Sequence, residues 1–147
     1  MLSWINDVPY AEKFDDTYYH RQAGLAETEF VFLQGNQLEN RLAQSDDFFQ
    51  IVEFGFGTGL NFVATLRLIA QLSRPHPRVQ FISVEKYPLD RSSIQRALQA
   101  WPELNPWTDL LLQRYPPDLA GWHILHIQKC SHHLVIPHAV VNPGHRC

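Results

Sequence analysis

Glu53-Phe54-Gly55-Phe56-Gly57-Thr58-Gly59-Leu60-Asn61 lies between a β-branched, aromatic run and a stretch of helical periodicity. Glycines at alternate positions remove the Cβ atoms that would keep a backbone from turning tightly or approaching a bound molecule. A helix starting at Leu60 would present its unpaired N–H groups to the same place. Upstream, Phe48-Phe49-Gln50-Ile51-Val52-Glu53-Phe54 has the composition of a strand. Downstream, Leu60, Val63, Leu66 and the run from Leu68 to Leu72 predict a helix from about Leu60 to Ser73, stopped by Pro75 and Pro77. Val79-Gln80-Phe81-Ile82-Ser83-Val84 predicts a second strand that ends at Glu85. Strand, helix and strand in this order predict a parallel pair and an α/β fold.

Further out, Gly24 opens a helix over Leu25 to Leu33, with Glu27 and Glu29 in its first turns, where acids suit the positive end of the helix dipole. Gly35 and Asn36 stop it, and a second short helix follows over Leu38 to Ala43. Phe14-Asp15-Asp16-Thr17-Tyr18-Tyr19 suits a partly buried strand or turn ahead of the main core. Beyond Glu85, Asp90 or Ser92 caps a helix striped by Ile94, Ala97 and Leu98 and ending before Pro102. Trp107 to Tyr115 predicts another helix, stopped by Pro116-Pro117, and Gly121 to Leu125 starts a third strand.

With 147 residues, 45% apolar and 18% charged, the chain has material for one core, so one domain or part of one is expected. No apolar run is long enough to span a bilayer and the N-terminus has no leader pattern, so a cytoplasmic protein is expected. The net charge of -3 means that a nucleic-acid partner would need a local basic patch. Arg67, Arg74 and Arg78 are close in sequence but read as an ordinary solvated helix end. Two cysteines, Cys130 and Cys147, make no disulfide framework and fit a reducing compartment.

The tail changes character: no acidic residue follows Asp118, and most of the eight histidines lie from His123 onward. Cys130, His132, His133 and Cys147 are zinc-ligand types, yet their spacing fits no familiar zinc module, so no metal is expected. The composition leads to the expectation that Gln128 to Cys147 is an out-of-frame or truncated ending.

The position of the third glycine chooses between ligands. A dinucleotide fingerprint would place it at residue 60, which is Leu; here it is Gly59. An NAD-binding oxidoreductase fragment is therefore the weaker alternative. The pattern acid-x-Gly-x-Gly-x-Gly resembles the first motif of class I S-adenosylmethionine-dependent methyltransferases. Glu85, closing the second strand, can accept hydrogen bonds from both ribose hydroxyls of an adenosyl group, with Lys86 flanking it.

The resemblance extends through Phe14-Asp15-Asp16-Thr17-Tyr18-Tyr19, Gly24-Leu25-Ala26-Glu27-Thr28, Val31-Phe32-Leu33, Asn36-Gln37-Leu38, Glu53-Phe54-Gly55-Phe56-Gly57-Thr58-Gly59-Leu60-Asn61-Phe62, Val84-Glu85-Lys86-Tyr87-Pro88-Leu89 and Trp101-Pro102-Glu103-Leu104. Together these are similar, in order and spacing, to the methyltransferase part of the bifunctional bacterial tRNA 5-methylaminomethyl-2-thiouridine biosynthesis family. The resemblance implies the N-terminal part of a Rossmann-like methyltransferase with parallel strands, expected to be incomplete. It divides the chain into an extension over residues 1–47, a partial cofactor-binding domain over 48–127 and a divergent tail over 128–147.

It implies S-adenosylmethionine as cofactor, held by Glu53, Gly55, Phe56, Gly57, Thr58, Gly59, Asn61, Glu85 and Lys86. It also implies tRNA as partner, with methylation of an aminomethyl group on a wobble uridine. Asp15, Asp16 and Tyr18 are the substrate-side candidates, although Asp15 and Asp16 equally suit a turn or cap. The attacking amine must be neutral and in line with the methyl, which calls for an acid to hold or deprotonate it. The family's Asp-Gly-Phe-x-Pro segment, where that acid is expected, does not occur here, so no catalytic residue is assigned. The second reading is a catalytically inactive cofactor-binding or interaction module. Self-association is expected if apolar faces are left without partners.

Overall fold

The computed structural model describes residues 2–5, 8–12, 15–18, 23–72, 77–117, 119, 121–129 and 132–142. Phe14, Tyr19, Arg74, Pro75, Cys130 and Cys147, named above, lie outside them. The architecture is mixed α/β with parallel strands, as the motif order predicts. Strands β1 (Leu2–Ile5), β2 (Val8–Ala11) and β3 (Asp16–Thr17) form a small antiparallel sheet in sequence order. Helix α1 (Gly24–Glu27) runs into a π-helical stretch, Thr28–Gln34, and α2 (Leu38–Gln44) follows. Then come β4 (Phe48–Phe54), α3 (Leu60–Gln71), β5 (Arg78–Val84), α4 (Arg91–Leu98), a 3-10 turn at Pro102–Leu104 and α5 (Asn105–Arg114). Strands β6 (Gly121–Lys129) and β7 (His132–Asn142) are the last described elements.

The second sheet has the order β4-β5-β7-β6. Strands β4 and β5 pair in parallel from Phe48 opposite Arg78 to Phe54 opposite Val84. A crossover through α3 is what lets two consecutive strands run the same way. Strand β7, in the segment set apart on composition, pairs in parallel with β5, while β6 pairs antiparallel with β7 on its outer side. Lys129 pairs with His132 at one end of the β6–β7 ladder, and Gly121 with Asn142 at the other.

The core lies between α3, α4, α5 and one face of this sheet. Phe62, Leu66, Ile94, Leu98, Leu104 and Leu111 are fully buried, each burial removing apolar area worth about 1.5–3 kcal/mol from water. Phe62 meets Phe81 of β5 edge to face, with ring centroids 5.2 Å apart. The N-terminal segment joins the same core through Val8, Leu25, Leu33, Leu38 and Leu42.

Asp90 is the N-cap of α4, its Oδ1 accepting from the Ser93 N–H at 2.8 Å, which settles the choice between Asp90 and Ser92. Strand β4 alternates: Ile51 and Glu53 are buried, whereas Phe48, Val52 and Phe54 are exposed on the opposite face. The helix expected over Leu25 to Leu33 forms, but its C-terminal part winds as π-helix, closed by the Gly35 N–H on the Phe30 carbonyl at 2.9 Å. Among the described residues no helix is long and apolar enough to cross a membrane.

Candidate functional site

The glycine turn follows β4 as its sequence requires. Gly55, Gly57 and Gly59 all have positive φ, at 92°, 55° and 77°. At Gly59 a Cβ would also lie 2.8 Å from Cζ of Phe56 and 3.0 Å from Cδ2 of Leu111, so only glycine fits. The Gly55 N–H donates to the Val84 carbonyl at 2.8 Å and the Gly59 N–H to the Phe56 carbonyl at 2.9 Å. The first bond continues the β4–β5 ladder into the turn. The second folds the loop onto the start of α3.

Glu85 connects this loop to the end of β5. Its Oε2 accepts from the Gly57 N–H at 2.9 Å and its Oε1 from the Tyr87 N–H at 2.7 Å. A carboxylate oxygen has a second lone pair, so both remain able to accept a hydroxyl. Below the loop, Glu53 is only 7% exposed. Its Oε1 accepts from Asn61 Nδ2 at 2.9 Å and its Oε2 from Ser83 Oγ at 2.8 Å. Burial pushes the Glu53 carboxyl up to about 7 against the lowering effect of these two donors, and the negative charge of Glu85 adds to the rise.

A cavity of about 590 Å³ opens over the turn. The loop contributes Gly55, Phe56, Gly57 and Thr58, α3 contributes Leu60 and Asn61, and the end of β5 contributes Glu85 and Tyr87. The opposite wall comes from the N-terminal segment: Thr17 and Tyr18 beside β3, Gly24 and Glu27 of α1, and Thr28, Val31 and Phe32 of the π-helical stretch. A Cβ on Gly57 would sit 3.4 Å from the Tyr18 ring, so the phenol rests against the loop. Burial raises the Tyr18 hydroxyl above its usual value, and the Glu85 carboxylate raises it further.

Of the residues singled out in the sequence, Gly55, Phe56, Gly57, Thr58, Asn61, Glu85 and Tyr18 line this cavity. Glu53 lies beneath, reaching it through Asn61, and Gly59 shapes the turn. Lys86 is exposed with its ammonium 5.4 Å from the centroid of the Tyr87 ring, outside the lining. Asp15 is exposed and accepts from the Tyr10 hydroxyl; Asp16 contributes backbone to β3. Glu27, read as a first-turn acid, stands on the cavity wall. The residue match around Gly24 to Thr28 was the available signal for it.

Among the described residues, the ionisable lining groups are two carboxylates, Glu27 and Glu85, and two phenols, Tyr18 and Tyr87, with no Lys, Arg or His. Such a wall favours a cation and disfavours a diphosphate. Among the described residues no cluster of His, Cys, Asp or Glu is arranged to hold a metal ion, and Cys130 and Cys147 lie outside them.

No family model matches the chain. It is 46% identical over 125 residues to the "tRNA 5-methylaminomethyl-2-thiouridine biosynthesis bifunctional protein MnmC" of Nitrosospira multiformis, which covers 84% of this chain and 20% of that protein. The protein of the same name from Marinobacter nauticus is 44% identical over 129 residues, and that from Acinetobacter baylyi 46% over 123. These matches cover 84% and 81% of this chain, and 20% of each relative. The chain thus spans about a fifth of the length of the curated relatives it matches. The crystal structure of MNMC2 from Aquifex aeolicus shares the fold, with a TM-score of 0.64 at 18% identity over 96% of this chain and 42% of that one.

Proposed function

From the premise that this chain is MnmC-like over 84% of its residues, we propose that it binds S-adenosylmethionine at the glycine turn and serves methylation of a tRNA wobble uridine. One observation supports the cofactor above others: among the described residues, the cavity over the turn is lined by carboxylates and by no basic side chain. S-adenosylmethionine carries a sulfonium and an ammonium, whereas NAD carries a diphosphate that such a wall repels. When bound, the cofactor supplies a methyl group activated on sulfur.

The residues divide the work by their chemistry. Glu85 offers both oxygens to ribose hydroxyls while holding the loop through Gly57. The amide of Asn61, its Nδ2 committed to Glu53, leaves its Oδ1 as an acceptor at the cavity floor. Phe56, Phe32, Tyr18 and Tyr87 give the apolar surface on which a planar base is bound. The positive φ of the three glycines lets the backbone come close to the ligand without side-chain obstruction.

On this reading the substrate is the aminomethyl group of a modified uridine, and the setting is the cytoplasm. Asp15 and Asp16 remain candidates for the substrate side. The family's Asp-Gly-Phe-x-Pro acid does not occur in these 147 residues, so binding without turnover is expected of them alone. Isothermal titration with S-adenosylmethionine and with NAD tests the cofactor: binding of NAD alone refutes it. Incubation with undermethylated tRNA and cofactor labelled in the methyl tests the reaction.

A further inference from the structure

We propose that Glu27 is the residue through which the cavity reads the positive charge of its ligand, so that the N-terminal segment sets the preference for a charged over a neutral adenosine compound. The inference rests on the cofactor reading above and deepens it. Among the described residues three carboxylates lie at or beneath the cavity, and they are not equivalent. Glu53 has both oxygens engaged by Asn61 and Ser83, and it is buried outside the cavity lining. Glu85 has both oxygens engaged by backbone N–H groups, which hold part of its charge on the loop.

Glu27 differs from both. Its side chain is exposed to the cavity, and among the described residues its carboxylate has no hydrogen bond or ion pair. It is the last residue of α1, where the backbone passes into the π-helical stretch that supplies Thr28, Val31 and Phe32 to the same wall. π-Helical turns are rare and concentrate at functional sites. An acid that served only the helix dipole need not border a cavity, whereas this one lines the same cavity as the glycine loop. A carboxylate without a competing donor gives up least when it pairs with a cation.

The test uses the whole 147-residue chain and its Glu27→Gln and Glu27→Asp variants. Affinity is measured by calorimetry for S-adenosylmethionine, with sulfonium and ammonium, and for 5′-methylthioadenosine, which shares the adenosyl group and has neither charge. Glu27→Gln is expected to weaken S-adenosylmethionine roughly five- to tenfold, as for a partly exposed ion pair, and to leave methylthioadenosine within about twofold. Glu27→Asp should recover part of the loss, and the thermal midpoints should coincide. An equal loss for both compounds, or no loss for either, overturns the role of Glu27. Failure of the unaltered chain to bind either compound overturns the underlying cofactor reading as well.

Discussion

Replacing Glu53 by glutamine should change how the stability of this protein depends on pH. The carboxyl is 7% exposed and its pKa is raised from 4.5 to about 7, burial being the main cause. Below pH 4.5 the group is protonated in both folded and unfolded chains and contributes nothing to the slope. Between 4.5 and about 7 the unfolded chain releases a proton that the folded chain keeps. Stability therefore falls as pH rises through that window, and is flat above it. The whole displacement corresponds to about 3 kcal/mol, an upper bound because a buried site relaxes.

In the Glu53→Gln variant the side-chain amide keeps an acceptor for Asn61 Nδ2 and turns the other atom into a donor to Ser83 Oγ, which can accept. The variant should match the parent near pH 4.5 and exceed it by about 1–3 kcal/mol at about pH 8. Urea denaturation followed by fluorescence of the four tryptophans, at steps of about half a pH unit across and beyond the window, measures the difference. A difference that stays constant with pH, or that shrinks as pH rises, would refute the reasoning.

Gly59→Ala should destabilise by about 2–3 kcal/mol, since its Cβ meets Phe56 and Leu111 at a positive φ. Gly55→Ala, at positive φ but with no atom within 4 Å of its Cβ, should cost only about 1–2 kcal/mol; chemical denaturation of the pair ranks them. Thr108 has a buried Oγ1 without a hydrogen-bond partner among the described residues, so Thr108→Val should raise stability by about 1 kcal/mol, read as a higher thermal midpoint. The exposed face of edge strand β4, with Phe54 87% exposed beside Val52 and Phe48, should drive concentration-dependent association. Sedimentation should show the association weakened in Val52→Lys; an unchanged mass distribution would count against that face.

The elements around the glycine turn were legible because each had a local cause. β-Branched residues marked β4 and β5, helical spacing marked α3, and Pro102 and Pro116 bounded the helices on either side. Asp90 as a cap needed only its own side chain and the N–H groups after it. What was not legible depended on distant partners. The π winding after Glu27 has no sequence signature, and the β1–β2–β3 meander is too short for alternation to show. Strand β7 is placed by its pairing with β5, which composition cannot express. Lys86 was grouped with Glu85 by adjacency, yet it lies outside a lining that includes both its neighbours. Glu27 came to the cavity only because the N-terminal segment packs against the same core as the glycine turn.

The two hydrogen bonds that Glu85 accepts from Gly57 and Tyr87 bear on the thermodynamics of recognition. A loop built on three glycines has more conformational freedom to lose than any other, and a ligand that had to order it would surrender affinity. Here one carboxylate ties the loop to the sheet beforehand, so that ordering is completed during folding and the loop is preorganised. The hydrogen bonds of a ligand arriving at the turn then go to affinity, and its binding entropy reports mainly its own immobilisation.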